Sequence, residues 1–227
     1  MSFTLAIAEE ELNANPALRK DYESLQRAVE MITKKKVVIV CTTSDEGNYA
    51  STKKRLYPAA FTNSDQILTI GCCNADGRRE FVGSRLKVDF ILPGVGLPLA
   101  EGLEGPVTGS SFATALAAGT AAAIMHFCEV TRSTWGKLEG GVASSFQLVA
   151  REQITTTVIK RIFHEVMSGT EESPLIIGDL FAISDDEMSL VYQGGDTAIR
   201  VLHKRFIASS LFRKFVIALL AHCRGLY

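Results

Sequence analysis

Hydroxyl groups are concentrated in a short segment, Thr108 to Ser111, that directly precedes a long uncharged run. The run, residues 112–128, contains no Asp, Glu, Lys or Arg and has seven alanines. A helix formed by it would be apolar on nearly all sides, which predicts burial. Hydroxyl side chains at a helix start accept hydrogen bonds from otherwise unpaired amides, and a nucleophilic oxygen there also lies at the positive end of the helix dipole. Ser111 is therefore either an ordinary cap on a core helix or a reactive hydroxyl.

The segments that must position Ser111 alternate between helical and strand patterns. Asn15 followed by Pro16 predicts a helix start, and apolar residues then recur every three or four positions until three lysines end the pattern. Strand, helix and strand in this order form a βαβ unit, so the predicted class is α/β, a parallel sheet with flanking helices. The apolar, β-branched runs that predict buried strands are residues 37–41, 67–71 and 88–92, with residues 1–7 as the end of a further strand.

Polar residues follow the strand predicted at 37–41. In open sheets of this class, ligands bind beyond the carboxyl ends of the strands. A candidate binding turn therefore begins after Cys41, with a plain polar turn as the alternative, and residues 48–66 are expected to be loop. The residues in the candidate turn are Thr42, Thr43, Ser44, Asp45, Glu46 and Gly47.

The composition changes after about residue 130. Residues 131–145 are rich in Ser and Gly, which predicts a linker or a surface loop. Apolar stripes predict helices over 154–166 and 207–219, with an acidic turn at 185–187 between them. We therefore expect two parts, an α/β unit over residues 1–130 and a mainly helical extension over residues 131–227.

Composition and charge narrow the classes of partner and compartment. The 227 residues are 47% hydrophobic and 22% charged with a net charge of −1, which gives no electrostatic reason to expect a nucleic acid or a membrane as partner.

Cysteines in apolar runs predict free thiols, and the first residues lack the pattern of a secretory signal, so a reducing, cytoplasmic location is expected. Residues 112–128 are shorter than the roughly 20 residues of a membrane span, which favours a core helix.

No cofactor is expected from the motifs. The acidic residues 185–187 are more typical of a solvated turn than of a metal site. The Gly-rich stretch from Gly94 to Gly109 lacks the Lys-Ser/Thr ending of a phosphate-binding loop.

Four ordered stretches and the first residues resemble one protein family, the subtilisin-like (subtilase) serine proteases. GSSFATALAAG, residues 109–119, resembles the active-serine motif of that family, and MSFT at the start resembles the end of its substrate-binding strand. The resemblance covers residues 1 to about 130, the C-terminal half of a subtilase catalytic domain, and is nearest to the domains found in large intracellular fungal proteins. The other matching stretches are VVIVCTTSDEG (37–47), YPAAFTNSDQILTIG (57–71) and LKVDFILPGV (86–95).

The resemblance implies acyl transfer by a Ser-His-Asp triad on a protein or peptide substrate. Ser111 is then the nucleophile, and Asp45 occupies the oxyanion-hole position, where the family normally has Asn. A neutral Asp45 carboxyl could still donate, and desolvation would favour that form. The residues that match the substrate-binding segments are Ser2, Phe3, Thr4, Thr42, Thr43 and Ser44.

The sequence departs from the family pattern at several positions, and these departures lower the activity that we expect. The family places its catalytic Asp and His before the substrate-binding strand, and this chain holds neither there; His126 lies roughly 20 Å along the predicted helix from Ser111. Thr4 stands where the family usually has Gly, Ala115 replaces a Pro, and the resemblance implies a cis Tyr57–Pro58 bond.

We therefore expect a serine-type endopeptidase by family that is inactive as an isolated chain. The expected partners are a protein or peptide substrate and the N-terminal half of such a domain. Without that half, a sheet edge and an apolar face would be exposed. A non-catalytic pseudoprotease or interaction module is the alternative. A stand-alone hydrolase is a third hypothesis, which requires one of the four histidines within about 3.2 Å of Ser111.

Overall fold

The computed structural model describes residues 1–4, 7–43, 45, 56–61, 64–80, 88–97, 105–135 and 154–165. Their elements, in chain order, are β1 (Ser2–Phe3), β2 (Ile7–Ala8), α1 (Glu9–Ala14), α2 (Pro16–Lys34), β3 (Ile39–Thr42), β4 (Leu56–Tyr57), a 3₁₀ turn (Ser64–Gln66), β5 (Ile67–Cys73), β6 (Phe90–Pro93), α3 (Ser110–Trp135) and α4 (Thr156–Glu165).

A four-stranded parallel sheet with the order β1-β3-β5-β6 forms the centre of the described chain. Its register pairs Ser2 with Val40, Ile39 with Ile67, and Ile70 with Phe90. All residues of β3 and β5 are buried, as expected for parallel strands that are covered on both faces. The predicted α/β class, a parallel sheet with flanking helices, is confirmed.

A second, two-stranded sheet pairs the end of the strand predicted at residues 1–7 with residues for which the sequence predicts loop. The predicted strand is divided, since Ser2–Phe3 lie in the parallel sheet and Ile7–Ala8 in this second sheet. β2 and β4 pair antiparallel, with Ile7 opposite Tyr57. The expectation of loop throughout residues 48–66 is therefore wrong for Leu56 and Tyr57, because a strand of two residues has too few positions for a periodic pattern. The Tyr57–Pro58 bond is cis, as the resemblance implies.

Helix α2 covers one face of the parallel sheet. Its start is as predicted, since Ala17 N–H donates to Asn15 Oδ1 at 3.0 Å and Pro16 follows in the first helical position. The apolar stripe of the helix, including Leu18 and Leu25, packs against a buried cluster that contains Ile39, Cys41 and Ile67. Aromatic packing connects this face to the small sheet, because the Tyr22 and Tyr57 rings lie 4.7 Å apart between centroids.

Helix α3 covers the opposite face of the sheet. Its small side chains at Ala113, Ala117 and Ala121 are buried, which lets the helix approach the strands closely. Burial on nearly all sides, however, is contradicted, since Phe112 remains 40% exposed and Leu116 38% exposed. The sheet contacts one side of the helix, and the exposed positions share the other side. The helix also continues to Trp135, so the first residues of the stretch 131–145, expected to be a linker or loop, are helical.

Helix α4 lies within residues 131–227, where the sequence predicts a separate helical extension, but it packs on the parallel sheet. Phe163 is fully buried and meets Phe90 edge-on, with ring centroids 5.4 Å apart. At its start Thr156 Oγ1 donates to the Gln66 carbonyl at 2.9 Å, and Lys160 Nζ lies 2.9 Å from the Asp89 carboxylate.

The division at residue 130 stays a prediction, and residues 166–227, including the predicted acidic turn and last helix, lie outside the described residues.

The described cysteines are free thiols, as predicted. Burial raises the pKa of Cys41, Cys72 and Cys128 to about 12, so these thiols are protonated at neutral pH and pack as small apolar groups. Among the helices of the described residues, none has both the length and the apolar character that a membrane span requires.

Candidate active site

A short main-chain ladder holds the serine segment at the carboxyl ends of the strands. Gly94 N–H donates to the Cys73 carbonyl at 3.1 Å, and Gly109 N–H donates to the Gly94 carbonyl at 2.7 Å. Further out, Leu97 and Val107 exchange two hydrogen bonds of 2.9 Å. Backbone hydrogen bonds through Gly94 therefore connect the start of α3 to the end of β5.

Glycine is required at position 94 because three elements meet there. A Cβ atom on Gly94 would lie 2.6 Å from Cys72 Cβ and 2.9 Å from the Gly109 carbonyl oxygen. Neither of these atoms is the mobile end of a side chain. The absence of a side chain at this position thus permits the close approach of β5, β6 and the serine segment.

Ser111 lies at the start of α3 with its hydroxyl partly open to solvent. Its Oγ donates to the Thr4 carbonyl oxygen at 2.9 Å, across 107 positions of sequence. Thr4 directly follows β1, whose residues Ser2 and Phe3 pair with β3 on one side. The structure therefore brings together the predicted nucleophile and the segment predicted to bind substrate.

Ser110 has a structural role that the sequence analysis missed. It is buried, its Oγ donates to the Thr43 carbonyl at 2.8 Å, and it also shares a hydrogen bond with Thr42 Oγ1. Thr42 and Thr43 are buried as well, and Thr43 donates from both its N–H and its Oγ1 to the Ile70 carbonyl. The Ser110 contacts lock the helix start onto the end of β3. The predicted substrate-binding role of Thr42 and Thr43 stays a prediction, and Ser44 lies outside the described residues.

Asp45 is exposed and caps α3 from a distant part of the chain. Its Oδ1 accepts a hydrogen bond from Ser110 N–H at 2.7 Å. A carboxylate is favourable at this place because the first amides of a helix lack intrahelical partners and carry partial positive charge. In this geometry Asp45 acts as an acceptor, whereas an oxyanion hole needs a donor.

A catalytic base is not positioned at Ser111 by the described residues. His126 lies fifteen positions further along α3, about 22 Å along the helix axis. His164 is exposed near the end of α4. Within the described ranges, the recorded hydrogen bond of Ser111 Oγ goes to Thr4 rather than to a histidine. The stand-alone hydrolase hypothesis therefore gains no support there, and His203 and His222 lie outside those ranges.

The described residues do not form a metal site. In the part of the chain that the structure describes, no group of three or more His, Cys, Asp or Glu side chains is placed to hold a metal ion. The acidic residues 185–187 lie outside that part.

Comparison with known proteins adds two weak structural similarities. No family model and no curated protein matches the chain. The prenylagaramide maturation protease PagA is similar over 55% of this chain and 43% of its own, with 18% identity and a TM-score of 0.36. The self-cleaved protease domain of PatA is similar over 56% of this chain and 49% of its own, with 20% identity and a TM-score of 0.35. Both are protease structures, and this chain spans less than half of each; similarity at this level establishes neither a shared fold nor shared chemistry.

The contribution of Asp45 to stability can be measured directly. Asp45→Ala leaves Ser110 N–H without its acceptor and should lower the free energy of unfolding by about 0.5–2 kcal/mol. Asp45→Asn keeps an acceptor oxygen and loses only the charge, so it should cost less, about 0.3–1 kcal/mol. Urea unfolding followed by circular dichroism measures both, with Asp76→Ala in an exposed turn as the control. Equal stability of Asp45→Ala and the unaltered chain would contradict the capping role.

Proposed function

We propose that this chain provides the nucleophile and the substrate-binding strand of a subtilisin-like serine endopeptidase site, and that alone it does not hydrolyse peptide bonds. The observation that carries the proposal is the hydrogen bond between Ser111 Oγ and the Thr4 carbonyl. It places a partly exposed hydroxyl beside the end of β1, which is an edge strand of the sheet within the described residues. An extended peptide can add to such an edge through main-chain hydrogen bonds, which brings a scissile carbonyl near Ser111.

Attack by Ser111 needs a base to remove the hydroxyl proton and donors for the developing oxyanion. Ser111 N–H lies in the first turn of α3, where amides lack intrahelical partners, and supplies one donor. Ser110 N–H is already bound to Asp45 Oδ1, which itself accepts. Loss of one oxyanion donor lowers kcat by about 10² to 10³, and loss of a general base by about 10² to 10⁴. These two deficits are the reason why we expect the isolated chain to be inactive.

The missing groups would come from a second polypeptide segment, the N-terminal half of a subtilisin-like domain that carries a catalytic Asp and His. The exposed face of α3 begins at Phe112, next to Ser111. Its apolar surface therefore lies at the same end of the helix as the nucleophile, where the second segment would have to bind. The substrate would be a protein or peptide bound in extended form along β1.

Labelling with a fluorophosphonate probe tests both halves of the proposal. The unaltered chain should label no faster than Ser111→Ala, with Ser24→Ala on α2 as the control for another exposed serine. Imidazole, a small external base, should then produce slow labelling that depends on Ser111. Ser111-dependent labelling without imidazole would overturn the claim of inactivity. Absence of labelling with imidazole, in a sample whose circular dichroism shows it to be folded, would overturn the nucleophile role.

A non-catalytic peptide-binding module is the second candidate. The observation that favours it is the Asp45 carboxylate at the start of α3, because a negative charge there opposes an oxyanion. Failure of the imidazole experiment, combined with peptide binding that is lost when Thr4 is replaced by Pro, would select this candidate. Proline at position 4 leaves the serine intact and removes the amide directly after β1.

A further inference from the structure

A cavity of about 640 Å³ lies between α3 and the amino end of β3, away from Ser111. Four of its lining side chains, Val38, Val40, Ala121 and Ile154, are buried, and Met125 of α3 also lines it. The lining residues of α3 begin at Ala118, seven positions beyond Ser111 and about 10 Å along the helix, and end at Met125, about 21 Å along it. The volume falls within the range of about 300–1,000 Å³ that is typical of small-molecule sites.

The wall formed by α3 is shaped by small residues. Ala118, Ala121 and Ala122 line it over about one turn of helix and, with Val38 and Val40, form an apolar slot between the helix and the sheet. The amides of a helix interior are already bonded within the helix, so this wall has no main-chain groups to offer a ligand. A peptide backbone placed here would leave its polar groups unpaired, whereas an alkyl chain needs no hydrogen bonds.

Positive charge is concentrated at one rim of the cavity. Lys34, Lys35 and Lys36 all line it, all are exposed, and no ion pair of theirs is recorded among the described residues. The described lining includes no Asp or Glu. The carboxyl end of α2 contributes about half a negative charge, which three lysines outweigh. The rim therefore favours an anionic group.

We propose that this cavity binds a free long-chain carboxylate, with its alkyl chain in the alanine-lined slot and its head group at the lysines of residues 34–36. The apolar slot and the uncompensated charges together define an amphiphile with one anionic end. The proposal is independent of the function proposed for Ser111, because the two sites share no residue and lie at opposite ends of β3.

Isothermal titration of the full chain with dodecanoate, below its micelle concentration, tests the proposal. We expect saturable binding with one site, and weaker binding of dodecan-1-ol, which has the same chain without the charge. The double variant Lys34→Gln/Lys35→Gln should raise the Kd about tenfold, and added salt should weaken binding of the unaltered chain. Arg19→Gln/Lys20→Gln removes two exposed charges from the first turns of the same helix and should leave the Kd unchanged.

A second pair of variants tests the slot without touching the charges. Ala122→Phe adds a ring at an exposed lining position and should abolish binding, whereas Ala115→Phe, exposed on the same helix and outside the lining, should not. Absence of saturable dodecanoate binding would overturn the proposal. Equal affinity for dodecan-1-ol, or binding that survives both Ala122→Phe and the lysine changes, would overturn it as well, since the ligand would then lie elsewhere.

Discussion

Replacement of Phe163 by alanine should lower the free energy of unfolding by about 3–5 kcal/mol, the largest effect we expect from a single side chain. Phe163 has no exposed surface, and its ring meets Phe90 of β6 at an interplanar angle of 75°. Truncation removes the apolar contact, leaves a cavity, and also loses an edge-to-face pair worth about 0.5–1.5 kcal/mol. Since a domain is stabilised by only about 5–15 kcal/mol, the variant should be close to unfolding.

The matched control for this change is His164→Ala, which alters the neighbouring, exposed residue of the same helix. Urea unfolding measures the global effect, and hydrogen exchange at the amides of β5 and β6 shows whether the sheet is affected. We expect faster exchange in the sheet as well as in α4. A loss under about 1 kcal/mol, or exchange that changes only in α4, would show that this helix is a separate unit resting on the sheet.

Replacement of Gly94 by alanine should cost about 3 kcal/mol or more, because the new methyl group has no free space. Three atoms surround it, and each belongs to a fixed element: Cys72 Cβ at 2.6 Å, the Gly109 carbonyl oxygen at 2.9 Å and Ala113 Cβ at 3.2 Å. Overpacking of this kind costs about 1–3 kcal/mol when neighbours can move, and more when they cannot. Displacement of Gly109 should also break the contact between Ser111 Oγ and the Thr4 carbonyl.

Gly119→Ala is the matched control for this change, and we expect the opposite sign. A Cβ atom at Gly119 would have no neighbour within 4 Å, and the residue lies inside α3. Alanine there should raise the free energy of unfolding by about 0.5–1 kcal/mol. Thermal and urea unfolding of the two variants side by side give the comparison. A neutral Gly94→Ala would mean that β5, β6 and the serine segment do not meet as described.

Local elements were predictable from the sequence because their signals are local. The Asn15–Pro16 helix start and the strand at 67–71 rest on neighbouring residues alone, and the structure has both. The place of α4 was not predictable in this way. An apolar stripe from Ile154 to Ile162 shows that one face of a helix is buried, but not which surface covers it, so its packing on the sheet could not be inferred.

The candidate site was predictable in outline and not in its hydrogen bonds. The resemblance placed Ser111 and Thr4 in one site, and the register of β1 on β3 does bring them together. Ser110 received no role, although successive helical residues point about 100° apart, so that one of two adjacent serines is expected to face inward. The hydrogen bond from Ser110 N–H to Asp45 was not predictable, because it depends on loop geometry. No periodic pattern in a single sequence indicates such geometry.

During synthesis of the chain, the candidate site cannot form before the hydrogen bond between Ser111 and Thr4 can form. It joins residues 107 positions apart, and the bond between Asp45 and Ser110 spans 65. At elongation rates of about 5–20 residues per second, roughly 5–20 s separate the synthesis of Thr4 from that of Ser111. During that interval the carbonyl of Thr4 has no Ser111 hydroxyl to accept from. The nucleophile is therefore added only after all four strands of the parallel sheet have been synthesised.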